Sequence, residues 1–95
     1  MLDHFIVNEL YDVYGSLLTK RQQEILQLYC QEDLSDSEIS EELNISRSAV
    51  LDAVHKSIHQ LEKYESVVQY VSKRKQLMEL TEKDKELSEK IKEIF

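Results

Sequence analysis

Residues 35–54 read Ser35-Asp36-Ser37-Glu38-Ile39-Ser40-Glu41-Glu42-Leu43-Asn44-Ile45-Ser46-Arg47-Ser48-Ala49-Val50-Leu51-Asp52-Ala53-Val54. Ser35 is a good helix N-cap, and Glu38 three residues later completes a capping box. Ile39 and Leu43 are four apart and share one helical face. Ser40 is small where two helices must cross closely. Asn44 tolerates the left-handed conformation that ends a helix, as few non-glycine residues do. Ile45 tucks inward from the turn. Ser46 caps a second helix, in which Val50, Val54, Ile58 and Leu61 repeat at four, four and three. Helix, turn of three to four residues, helix is the layout of a DNA-binding helix-turn-helix, whose second helix enters the major groove. An ordinary helical hairpin has no need of cap, small residue and left-handed position together.

Upstream, residues 2–14 predict a first helix. Leu2, Ile6, Leu10, Val13 and then Leu17 give it an apolar face, with Asp3, Glu9 and Asp12 largely opposite. Gly15 reads as its stop. Thr19 and Gln22 form a second capping box, and Leu18 is placed to staple onto the helix it opens. That helix runs from about Lys20 to Glu32, with Ile25, Leu26, Leu28 and Tyr29 inward. It completes a trihelical unit, winged-helix-like but without a wing. So small a unit buries a limited core and calls for cover from the first helix and the C-terminal arm.

Downstream, the fourth helix is expected to end near Tyr64, with a bend at Glu65 and Ser66. Residues 1–64 then form the core and residues 65–95 an arm. Leu77, Asp84 and Ile91 are seven apart, as are Leu80, Leu87 and Ile94. Such a narrow stripe suits a partner helix. Two alternatives stand beside it. The arm folds back on its own chain, or Thr81 and Asp84 cap a separate last helix.

The composition fits an all-α chain. There is no proline and a single glycine, and 33% charged with 41% hydrophobic residues suits amphipathic helices. One cysteine, Cys30, excludes an internal disulfide, in keeping with a reducing cytoplasm. No run is apolar and long enough to span a bilayer. The net charge is −7. All of it falls in residues 1–64, with 5 basic against 12 acidic side chains; residues 65–95 balance at 7 and 7. Phosphate neutralisation supplies most nonspecific DNA affinity, so an acidic core argues against strong nonspecific binding.

Once its apolar stripe is buried, the fourth helix presents Ser46, Arg47, Ser48, Leu51, Asp52, His55, Lys56 and His59. Arg47 suits a guanine edge, whose two acceptors match its fork. An ion pair with Glu42 or Asp52 is the plainer alternative. Ser46 and Ser48 suit a phosphate or a base, and Lys56 a phosphate. Leu51 offers only a methyl contact, and Asp52 repels phosphate. His55 and His59 are four apart, a spacing that holds zinc, but no cluster supplies further ligands. As surface histidines they add positive charge to this face at low pH. Cys30 reads as a small core residue, with no histidine near it for nucleophile chemistry. No phosphate loop, metal motif or nucleophile elbow is present, so no enzyme and no cofactor is expected.

At Leu17-Leu18-Thr19-Lys20-Arg21-Gln22, Leu28-Tyr29, Asp33-Leu34-Ser35, Glu38-Ile39-Ser40-Glu41-Glu42 and Ile45-Ser46-Arg47-Ser48-Ala49-Val50 the chain resembles the YlxM-like family. These are small bacterial helix-turn-helix proteins encoded beside signal recognition particle genes. The trihelical part is also similar to region four of sigma factors. The resemblance covers about residues 4–75. It implies an all-helical cytoplasmic protein, a regulatory link to the signal recognition particle pathway, and a homodimer. It leaves two functions to weigh. One is a DNA-binding regulator; the other is a non-catalytic module that keeps the fold and binds a protein or signal recognition particle component. Ser48 stands where family members often carry Gln. Leu51 and Asp52 stand where sigma-type helices carry polar or basic reading residues. The apolar surfaces available for dimerisation are Leu2, Ile6, Leu10 and Val13 on the first helix, and Leu77, Leu80, Leu87, Ile91 and Ile94 on the arm. Neither is covered fully by a trihelical unit of this size.

Overall fold

A computed structural model describes residues 4–94. Among the described residues six α-helices follow one another: α1 (His4–Tyr14), α2 (Lys20–Leu26), α3 (Asp36–Leu43), α4 (Arg47–Val68), α5 (Tyr70–Leu80) and α6 (Lys85–Ile94). No strand occurs among the described residues. The caps fall where the side chains ask for them. Thr19 and Gln22 form a full capping box at α2, as do Ser35 and Glu38 at α3.

Asn44 closes α3 in the left-handed region, at φ 55° and ψ 48°. The Ile45 N–H then returns to the Ser40 carbonyl, and the Ser40 hydroxyl donates to the Ile45 carbonyl. Ser40 is therefore more than a small residue at a crossing, because its hydroxyl ties the turn itself. Val50 and Val54 follow on the buried face of α4, both fully inside with Ile39. Leu43 and Ile45 pack half-buried against that core.

Two helices depart from the sequence reading. The second helix does not stay α-helical to Glu32. Its last five residues, Gln27–Gln31, widen into a π-turn, closed by Asp33 at φ 55° and by a Leu34 N–H to Leu28 carbonyl bond. The first helix is rotated from its expected face. Val7, Leu10 and Tyr14 are buried, while Ile6 and Val13 lie at the surface. The burying stripe starts one residue later because α1 must present Tyr14 to the end of α4. Gly15 needs no positive φ. A Cβ there would come within 2.9 Å of the Tyr11 ring, so the glycine serves close approach.

The change of direction falls at Gln69, not at Glu65 and Ser66. Helix α4 runs unbroken past residue 64 to Val68, and Gln69 takes φ 57°. Gln69 gives α5 no side-chain cap. Glu65 does so instead, from the last turn of α4. Its Oε1 accepts from the Val71 N–H at 3.1 Å, and its Oε2 from the Ser72 N–H at 3.0 Å and the Ser72 hydroxyl at 2.7 Å. A carboxylate here also suits the positive end of the helix dipole.

The arm is two helices rather than one continuous heptad helix. Asp84 caps α6 by accepting from the Leu87 N–H, and the Thr81 hydroxyl bonds back to Leu77. The Cα radius of gyration is 16.0 Å, against about 12 Å for a compact chain of this length. The chain is thus elongated, 50 Å in its longest dimension. Between α1 and α5 lies an open groove of about 710 Å³, lined by Glu9, Asp12, Val13, Tyr70, Val71, Arg74 and Lys75. Lys75 pairs across it with Glu9 at 3.0 Å. No described helix is long and apolar enough to cross a membrane.

Candidate nucleic-acid interface

The exposed face of α4 begins at its N-cap. Ser46 has extended backbone, and its hydroxyl accepts from the Ala49 N–H at 3.1 Å, so it is engaged as the cap. The Ser48 hydroxyl lies 3.2 Å from it. Burying Val50, Val54, Ile58 and Leu61 turns Ser48, Leu51, Asp52, His55 and His59 outward along one side of the helix. All eight expected residues, Ser46 to His59, reach the surface. Around His55 and His59, and elsewhere among the described residues, no three candidate metal ligands come together.

Arg47 does pair with a carboxylate, but with neither of those expected. Its Nε and Nη2 donate to a single oxygen, Oδ2 of Asp36, at 3.2 and 3.1 Å. Asp36 is the first residue of α3, eleven positions earlier, and no local spacing rule points to it. The turn at Asn44 folds the start of α3 against the start of α4. The Arg47 guanidinium, by its hydrogen bonds to Asp36, holds that carboxyl below its ordinary range. The pair is one-sided in exposure: the Arg47 side chain is 66% accessible and that of Asp36 23%. Nη1 of Arg47 has no partner among the described residues.

Lys56 is held as well, by Asp52 one turn earlier at 3.0 Å. Both cations of this face therefore sit on carboxylates of the same chain. On the flanking surface of α3, Glu41 and Glu42 are exposed and carry no ion pair among the described residues.

The dimerisation candidates divide. Leu10 and Ile91 are buried within their own chain and offer nothing to a second copy in this state. Leu77 is half-buried. Ile6, Val13, Leu80, Leu87 and Ile94 are exposed, Leu80 by 84% and Ile94 by 78%. Leu2 lies outside the described residues.

A family model described as "Putative helix-turn-helix protein, YlxM / p13 like" (UPF0122) matches residues 2–94. A UPF0122 protein of Caldanaerobacter subterraneus subsp. tengcongensis is 44% identical over 84 residues, 88% of this chain and 72% of the relative. One of Desulforamulus reducens is 48% identical over 67 residues, 70% of this chain and 57% of the relative. One of Halalkalibacterium halodurans is 37% identical over 91 residues, covering 95% and 84%.

Proposed function

The chain belongs to the UPF0122 family of YlxM / p13-like helix-turn-helix proteins, and on that premise we propose that it is a non-enzymatic regulator which contacts double-stranded DNA through α4. We place it in the signal recognition particle pathway, as the resemblance to the YlxM-like family implies. One observation carries the DNA reading. Arg47 stands on the exposed first turn of α4 with its orientation held by Asp36 and its outer edge open. An arginine so placed suits the O6 and N7 acceptors of guanine.

The surrounding charge shapes how such binding works. With Lys56 on Asp52 and the neighbouring acids unpaired, few phosphates are neutralised. Affinity rests on base-edge contact and on two copies acting together. A homodimer with the two α4 helices about one DNA turn apart supplies the second contact. The exposed residues Leu80, Leu87 and Ile94, with Ile6 and Val13, supply apolar surface for it.

A second reading has its own observation. The acidic surface around α4 favours a basic protein partner, including a protein component of the signal recognition particle, over any nucleic acid. Anisotropy titration of labelled genomic duplexes at about 50 and 200 mM salt separates the two. The DNA reading expects binding at the lower salt and a shallow slope, about two phosphate contacts or fewer per copy. Absence of binding at the lower salt would leave the protein-partner reading.

A further inference from the structure

We propose that Asp36 is a positioning residue for DNA readout: it grips the inner edge of Arg47 so that the outer edge meets the acceptor edge of a guanine. The inference rests on the DNA reading above and adds the residue that makes it selective. A free arginine side chain has many rotamers, and fixing one on binding costs affinity. Here Nε and Nη2 are already committed to Asp36 Oδ2. The guanidinium is planar, so two donors on one edge determine where Nη1 and the outward hydrogen of Nη2 point. Both ends of the pair are anchored. Asp36 lies within the Ser35–Glu38 capping box, and Arg47 follows the Ser46 cap. The turn at Asn44 holds those two helix starts together. Its backbone geometry thus becomes the orientation of one side chain on the reading face.

A carboxylate that merely cancelled the charge of Arg47 would act in the opposite sense. Its removal would tighten binding to DNA and leave base preference intact. The positioning role predicts that removal blurs base preference, while attraction to DNA in general stays level or rises.

The experiment selects duplexes from a randomised library with the full chain. It then measures, for wild type, Asp36→Ala and Arg47→Lys, the affinity for a selected duplex, for the same duplex with its preferred guanine changed to adenine, and for an unselected duplex. Circular dichroism checks that each variant is folded. Wild type is expected to lose about 10-fold or more on the guanine change. In Asp36→Ala the penalty should shrink to about 3-fold or less, with unselected duplex bound as well as before or better. Arg47→Lys keeps the charge but lacks the two-donor outer edge, and should lose discrimination in the same way. Full discrimination in Asp36→Ala overturns the positioning role while leaving DNA binding intact. A library that enriches no sequence removes the DNA reading itself, and this inference with it.

Discussion

The Tyr14 hydroxyl donates a 2.6 Å hydrogen bond to Oε1 of Glu65, across 51 residues of sequence. The same phenol oxygen accepts from the Tyr70 N–H at 3.3 Å. One carboxylate thus joins the end of α1, the last turn of α4 and the start of α5, and it sets the direction in which the arm leaves the core.

That junction gives the fold a defined acid sensitivity. Burial pushes the Glu65 carboxyl up, but hydrogen bonds from Tyr14, Ser72 and Val71 outweigh it and leave the group below its ordinary 4.5. A carboxyl lowered in the folded state adds stability above its unfolded value, and this is lost as pH falls through the lowered one. Asp36 is lowered too and acts in the same window. Glu65→Gln should therefore melt earlier than wild type at neutral pH, with the gap closing toward pH 3. Thermal melts followed by circular dichroism check this, and a gap that stays constant with pH would contradict it.

Core substitutions should rank by burial. Ile39→Ala removes a fully enclosed side chain and should cost about 2–5 kcal/mol. Leu43→Ala, on the same face but half-buried, should cost less. Urea denaturation gives both values. A larger loss at Leu43 would mean that α3 sits at a different rotation.

The Cys30 thiol should be inert in the folded chain. Burial, followed by the charge of Asp33, pushes it up to about 11, so little thiolate exists at pH 8. Reaction with a chromogenic disulfide should be slow in native buffer and complete in guanidinium. Fast native labelling would place Cys30 outside the core.

Part of this fold is legible in the sequence. Thr19, Ser35, Asn44 and Ser46 were legible because caps and turns are decided by neighbours within four residues. The face of α1 was misread by one position, since Ile6 and Val7 are equally apolar and only the packing of Tyr14 near α4 and α5 decides between them. The π-turn at 27–31 and the left-handed Gln69 carry no residue signature, as glycine or proline would have provided. The eight residues from Ser46 to His59 expected at the surface are all exposed, as the buried stripe of α4 dictates. The partner of Arg47 was not, because Asp36 becomes its neighbour only after the turn has folded.

Assembly has a direct check. If Leu80, Leu87 and Ile94 meet a second copy, the wild-type chain should sediment as a dimer at high micromolar concentration. Leu80→Glu with Leu87→Glu should shift it toward monomer, because charges would enter an apolar seam. A wild-type monomer at that concentration would end the two-copy arrangement.

Contact between Arg47 and DNA is tested most directly by titrating wild type, Arg47→Ala and Lys56→Ala against one selected and one unselected duplex at low salt. Arg47→Ala should cost about 1–3 kcal/mol on the selected duplex and little on the other. Lys56→Ala, whose ammonium is already held by Asp52, should change both slightly and equally. Equal losses on the two duplexes from Arg47→Ala, or no binding by wild type at all, would contradict base-edge contact by Arg47.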